Sequence, residues 1–249
     1  MAKVFFVSDA HISSTKDMAY KRFLSFIEYV KKESATDLFI LGDLFEFLHG
    51  HGGYVIKKYQ KLFDGLKALS LAGTKIYYLY GNHDFDFKLP FDFIRSSASF
   101  NNIEVDGINC MVFHGDGLDP HDTKYRFLKS IIRGSFFKFI VKFIPDFILY
   151  RIAGLFSAIS KNSGSSKMVN ENRFLYYRDY ALKKLSYTDL NIVVFGHTHV
   201  PDLSRINLKN GKFKYYINTG HFGRNGTYGI LDNDFVYIGV FNNKMLLSE

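Results

Sequence analysis

A chain of 249 residues with 47% apolar side chains, 27 Phe and 17 Tyr can bury a sizeable core, which excludes disorder over a long stretch. Its single cysteine, Cys110, excludes an internal disulfide. The net charge of +8 is local, because twelve Lys and Arg stand against three Asp and Glu between Arg126 and Leu185, a surplus larger than that of the whole chain. A basic stretch of this kind suits nucleic acid, an anionic membrane face or a phosphorylated ligand.

The first apolar run, Val4-Phe5-Phe6-Val7, predicts a buried strand and leads directly into Asp9-Ala10-His11. No charged leader, apolar core segment or cleavage site precedes it, so a cytoplasmic location is expected. Asp17 to Lys32 carries Phe23, Phe26, Ile27 and Val30 at helical spacing. Leu38-Phe39-Ile40-Leu41 is a second strand, closed by Gly42-Asp43. Tyr54 to Leu71 then predicts one helix, with Tyr59, Leu62, Phe63, Leu66 and Leu69 on its apolar face and Gly73 after its end. Ile76 to Tyr80 is a third strand, followed by Gly81-Asn82-His83-Asp84.

Ile103-Glu104-Val105 and Ile108 to Phe113 read as a hairpin about Asp106-Gly107, a pair suited to a primed two-residue turn. Cys110 lies inside this run and reads as a buried, inert thiol. The run ends in His114-Gly115-Asp116. From Thr123 to Leu185 the pattern is helical, interrupted at Gly134, Pro145, Gly154 and residues 162–166. Ile192 to Phe195 is the last strand of the series and leads into Gly196-His197-Thr198-His199. Beyond it come strands and hairpins, with turn signals at Asn210-Gly211, Asn225-Gly226 and Asn242-Asn243. Alternating strands and helices predict βαβ units and a parallel core. The expected organisation is one α/β domain over 1–249, a two-layered β core covered by helices, with a helical insertion at about 123–187.

Five segments thus place polar side chains just beyond an apolar strand, where open α/β folds put their active crevice. Asp9 and His11 are two residues apart, as are His197 and His199, so in extended chain each pair faces one way. Gly42 allows a sharp turn before Asp43, whose two carboxylate oxygens can bridge two cations. Asn82 adds an amide oxygen and His114 a further imidazole. Three oxygen donors and four imidazoles suit Mn, Fe, Co or Zn, and the lack of thiolates disfavours a closed structural zinc site. Two metals in such a set point to hydrolysis of phosphate esters. Each short segment alone is equally consistent with a capped strand end; the ordered set of five is the informative feature.

These segments resemble those of the calcineurin-like metallophosphoesterases, and the likeness covers the chain apart from the helical insertion. It implies a four-layer α/β/β/α sandwich with two divalent metal ions, Mn2+ first among them. One metal would take Asp9, His11, Asp43 and His199, and the other Asp43, Asn82, His114 and His197. His83 and Asp84 match the catalytic dyad, in which the imidazole reaches the phosphate or leaving group and the carboxylate fixes its tautomer.

Within that family the chain is similar to the UDP-2,3-diacylglucosamine hydrolases of lipid A synthesis. The likeness rests on Gly42 to Glu46, Gly81 to Phe85, His114-Gly115-Asp116 followed by Asp122 and Tyr125, and Gly196 to Pro201. A Ser/Lys-rich stretch from Ser160 to Lys167 also matches. The branch implies attack at the α-phosphorus of a UDP-linked diacyl sugar, with Asp122, Ser160 and Lys167 contacting headgroup or nucleotide. Phe136, Phe137, Phe139, Ile140, Phe143 and Ile144, interleaved with Lys138 and Lys142, then suit an amphipathic cap that holds acyl chains or meets the inner face of a membrane. A helical pair packed on the sandwich is the plainer reading, and Lys142, Pro145, Asp146 and Arg151 exclude a spanning helix. His83 stands where the best-known members of the branch carry Arg. A phosphodiesterase or nucleotide pyrophosphatase acting on a soluble phosphate is therefore the competing reading, and a protein-binding scaffold is a third. Nucleic acid is disfavoured because no basic groove or paired stacking platform is evident. His49, His51, His121 and His221 receive no role from the sequence.

Overall fold

Side chains along each predicted strand alternate between two different cores, and this alternation sets the architecture. Phe5, Leu38, Ile40, Ile76 and Tyr78 pack against one helical layer, whereas Val4, Phe6, Phe39, Leu41, Tyr77 and Leu79 face a second sheet. The structure is a computed structural model. It describes residues 2–49, 53–85, 89–119, 144, 145, 148, 171–208, 212–233, 235–241, 247 and 248.

In chain order the elements are β1 (Lys3–Val7), α1 (Met18–Lys32), β2 (Asp37–Ile40), β3 (Leu48–His49), α2 (Gly53–Lys58), α3 (Gln60–Leu71), β4 (Lys75–Leu79) and β5 (Asp84–Phe85). They continue with β6 (Ile94–Ser97), β7 (Ser99–Val105), β8 (Ile108–Phe113), α4 (Glu171–Tyr187), β9 (Ile192–Phe195) and β10 (Pro201–Asn207). The last are β11 (Phe213–Thr219), α5 (Phe222–Asn225), β12 (Thr227–Asp232), β13 (Phe235–Val240) and β14 (Leu247–Ser248). One sheet has the order β14-β13-β12-β1-β2-β4-β6 and the other β10-β11-β9-β8-β7, with β3 and β5 forming a small separate pair. β1, β2, β4 and β6 run parallel, as do β8, β9 and β11. The hairpin strands at the margins are antiparallel.

Helices α1 and α3 cover the first sheet through Phe23, Phe26, Ile27, Val30, Leu62, Phe63, Leu66 and Leu69. Each such buried side chain contributes about 1.5–3 kcal/mol relative to exposure. Asp17 starts α1 by accepting the Tyr20 backbone N–H at 2.9 Å, while its other oxygen accepts those of Ser13 and Ser14 at 2.9 and 3.0 Å. The same residue therefore ties the loop after His11 to the helix. Helix α4 covers the second sheet, packing Tyr177, Ala181 and Leu185 on Met111, Val193, Phe195 and Tyr216. Helix, sheet, sheet and helix make the expected four-layer sandwich. Between the sheets, Phe39 and Tyr77 stack at 4.2 Å, and Cys110 is buried with its thiol pushed up to about 12 by desolvation. No helix among the described residues is long and apolar enough to cross a membrane.

Several local expectations need correction. The helix predicted over Tyr54 to Leu71 is two helices, because Tyr59 leaves helical geometry at φ −112° and ψ 27°. Its buried ring stacks on Phe45 at 4.7 Å, and apolar spacing continues through the break, so periodicity could not register it. Asn225-Gly226 is no hairpin turn: Gly226, at φ 74°, closes α5 by donating its N–H to Phe222 O. The β12–β13 turn passes instead through Asn233, at φ 56°. Asp106 and Gly107, at φ 50° and 79°, do form the primed hairpin turn. Of the expected insertion at 123–187, nearly all of 123–170, with the aromatic run and its lysines, lies outside the described residues. The described remainder is chiefly α4.

Candidate metal centre

Three parallel strands of one sheet and two of the other deliver polar residues to one cleft. β1, β2 and β4 of the first sheet lead to Asp9 and His11, to Asp43, and to Asn82 and His83. β8 and β9 of the second lead to His114 and to His197 and His199. The paired residues do not converge as neighbours in extended chain, which the i, i+2 argument required. Asp9, His11, His197 and His199 have φ of 54°, 47°, 64° and 61°, and Asp43 has 52°. The left-handed region is unfavourable for residues with a Cβ, and five such positions gathered in one cleft mark a site whose surroundings enforce the geometry. Gly42, at φ 92°, passes so close to the next loop that a Cβ would lie 2.5 Å from Gly81 N.

The seven candidate ligands separate into two sets that share Asp43. In the first, His199 Nε2 lies 3.1 Å from Asp9 Oδ1 and 3.3 Å from His11 Nε2. His11 Nε2 lies 3.9 Å from Asp43 Oδ2. In the second, Asn82 Oδ1 lies 3.0 Å from His114 Nε2 and 2.9 Å from His197 Nδ1, the two nitrogens are 3.2 Å apart, and His114 Nε2 is 3.4 Å from Asp43 Oδ2. Two nitrogens that each stand about 2.0–2.1 Å from a shared cation, at a near-tetrahedral angle, are separated by about 3.2–3.4 Å. The observed spacings fit that requirement. His114 Nδ1 donates to Leu41 O at 2.7 Å, which leaves an Nε2 lone pair for the cleft.

Electrostatics reinforce the gathering. Burial alone would raise the carboxyl of Asp9, but hydrogen bonds from His11 and His199 and the charge of His114 hold it well below the usual carboxylate range. Asp43 is likewise lowered against its burial by His114, His83 and His11. His114 is held up at about 10: its burial disfavours charge, yet Asp43 and Asp9 prevail. Fixed donors orient the carboxylates. Asp43 Oδ1 accepts His83 N–H at 2.8 Å, and Asp9 Oδ2 accepts His197 N–H at 2.9 Å and the hydroxyl of Ser8.

Asp84 does not orient the His83 ring. The His83 Nδ1–H donates to Glu46 O at 2.6 Å, so a backbone carbonyl fixes the tautomer and Nε2 faces the cleft, 4.0 Å from Asp43 Oδ2. The Asp84 carboxylate accepts the backbone N–H groups of Gly81 at 2.8 Å and Asp43 at 3.0 Å, and the Tyr78 hydroxyl at 2.9 Å. It locks the Asp43 turn onto the Asn82 loop. Burial and the Asp43 charge push its pKa up to about 6 against those donors.

One residue left without a role by the sequence belongs to the cleft. His221 has a ring nitrogen within 4.8 Å of nitrogens on His11 and His199, and its ring centroid lies 5.2 and 4.6 Å from theirs. The signal was present: Tyr215-Tyr216-Ile217 is an apolar run ended by Asn218-Thr219-Gly220-His221, and β11 lies parallel to β9. Asp122, Ser160, Lys167, His121 and His51 lie outside the described residues.

A family model described as calcineurin-like phosphoesterase matches residues 2–201. A UDP-2,3-diacylglucosamine hydrolase of Enterobacter sp. (strain 638) is 28% identical over 207 residues, covering 81% of this chain and 83% of its own. One from Yersinia pestis bv. Antiqua (strain Angola) is 29% identical over 210 residues, covering 82% and 84%. Among solved structures, a dimetal phosphatase from Danio rerio aligns over 98% of each chain with a TM-score of 0.51 and 12% identity, a likeness of fold alone.

Proposed function

The chain belongs to the calcineurin-like phosphoesterase family and is a hydrolase, and from that premise we propose that it cleaves UDP-2,3-diacylglucosamine at the α-phosphorus, releasing UMP and 2,3-diacylglucosamine 1-phosphate. The observation that carries the reading is the pair of donor sets sharing Asp43, in a chain similar over four fifths of its length to enzymes that bear this name. Asp9, His11, Asp43 and His199 would hold one divalent ion and Asp43, Asn82, His114 and His197 the other, with Mn2+ the preferred metal. Bound there, the two ions supply an activated water and neutralise charge on the phosphoryl oxygens.

The protein's own groups do the rest. Glu46 O keeps the His83 Nε2 edge toward the cleft, where the protonated ring can give a proton to the departing oxygen. Burial works against that charged form, but Asp43 and Glu46 O raise its pKa above the ordinary imidazole value. Asp84 acts behind the site by holding the Asp43 and Gly81 backbones. Asp122, Ser160 and Lys167 are assigned to the headgroup or nucleotide, and the 123–187 insertion to an acyl-holding cap that meets the membrane face. His83, where the lipid branch usually has Arg, favours a second reading as a phosphodiesterase or nucleotide pyrophosphatase for a soluble substrate. Incubating Mn-loaded protein with UDP-2,3-diacylglucosamine and following UMP is the test. Rapid release, with little cleavage of diadenosine polyphosphates or cyclic nucleotides, is expected; the opposite preference would establish the second reading.

A further inference from the structure

His221 caps α5 with one ring nitrogen while its ring packs beside those of His11 and His199 in the cleft. Its Nδ1 accepts the Arg224 backbone N–H at 3.2 Å. A nitrogen that accepts a hydrogen bond carries no proton, so the neutral ring bears its proton on Nε2. Nε2 is then a donor and has no lone pair for a cation, which separates His221 from His11 and His199 beside it.

The segment is anchored firmly. Phe222 N–H donates to Ser8 O at 3.2 Å and Gly223 N–H to Asp9 O at 3.1 Å. Arg22 of α1 donates to Gly223 O at 2.7 Å and Phe222 O at 3.2 Å. Gly223 approaches the Ala10 backbone so closely that a Cβ would lie 2.8 Å from the Ala10 carbonyl carbon. These four hydrogen bonds hold the segment that carries the imidazole in a fixed relation to Asp9 and His11.

We infer that His221 is a substrate-contacting residue, whose Nε2–H donates to a phosphoryl oxygen of the scissile phosphate on the His11–His199 side of the cleft. This inference rests on the hydrolase reading above but not on which phosphate ester is the substrate. A neutral donor suits this position because it adds a hydrogen bond without adding a cation next to bound metal.

Two substitutions separate donation from capping. His221→Asn keeps a side-chain acceptor at the helix start and loses the distal donor; His221→Gln places an amide N–H near the Nε2 position but loses the cap. Expected for His221→Asn are unchanged metal content and melting temperature, with a roughly 10- to 100-fold fall in kcat/KM on bis(p-nitrophenyl) phosphate and weaker binding of inorganic phosphate by calorimetry. His221→Gln is expected to melt earlier yet bind phosphate better than the Asn variant. Long-range 1H–15N spectra of the unmodified protein should show a protonated Nε2 and a bare Nδ1. Full activity and phosphate affinity in His221→Asn would reduce the residue to a cap, and loss of metal would make it a ligand; either overturns the inference. If the unmodified protein takes up no metal and hydrolyses nothing, the hydrolase reading itself falls.

Discussion

The first sheet contributes Asp9, His11, Asp43, Asn82, His83 and Asp84 to the cleft, whereas the second, with the turn after β11, contributes His114, His197, His199 and His221. All the carboxylates of this group therefore come from one side and most of the imidazoles from the other. The carboxylates are buried, Asp9 at 0% and Asp43 at 1% exposure, and are oriented by backbone N–H groups. The imidazoles range from His114, almost wholly buried, to His199, whose side chain is 42% exposed. A buried carboxylate needs a counter-charge and saturated hydrogen bonds, so its position is costly to alter. The comparison teaches that one sheet builds the negative, rigid floor of the site and the other closes it with imidazole rings.

The strongest way to break this contrast is Asp43→Ala, which removes the one group common to both donor sets. Metal content measured by plasma mass spectrometry and phosphoesterase activity should both fall to background; a metal-replete Ala variant would contradict the shared role. Next comes His83→Ala, expected to lower kcat about 100- to 10,000-fold while metal content holds. Joint loss of metal would show that His83 belongs to the donor set, and unchanged turnover would remove its role as acid. Asp84→Asn should weaken metal affinity about 10- to 100-fold, because an amide cannot accept all the donors that meet the carboxylate. Wild-type titration behaviour in that variant would mean the Asp43 turn stands without this support.

The smallest expected effect is a pH dependence that sharpens the same comparison. Without metal, the His114 pKa is held at about 10, above its ordinary 6.5. A raised imidazole pKa stabilises the fold fully below about pH 6.5, and this contribution is lost as pH climbs through about 10. Chelated protein should therefore lose melting temperature steadily across that window. Protein with Mn2+ should lose less, since metal binding replaces the proton and improves as the imidazole deprotonates. Parallel melting curves with EDTA and with Mn2+ would count against this coupling if their pH slopes agree.

Much of the site was legible because strand ends speak in short local code. The apolar runs before Asp9, Asp43, Asn82, His114 and His197 identified the strands, and their sequence order matched the strand edges that the fold brings together. Asp84 was misread because its neighbour in sequence, His83, is not its partner in space: the chain turns so that Asp84 points back at Gly81 and Asp43. Tyr59 interrupts a helix without disturbing the apolar spacing on either side. His221 follows the same grammar as the other segments, yet nothing local reveals that β11 lies beside β9.

Residue types, their order and the alternation of apolar side chains were sufficient to determine the layered α/β architecture, the family and the polar set at the strand ends. These are short-range properties, carried by periods of two and 3.6 residues and by the chemistry of each donor. Only the tertiary structure decided the left-handed turns that aim the donors, the Glu46 carbonyl behind His83 and the place of His221. Those depend on contacts between segments up to about two hundred residues apart, as Ser8 with Phe222 shows, and such pairings form only when the two sheets pack face to face.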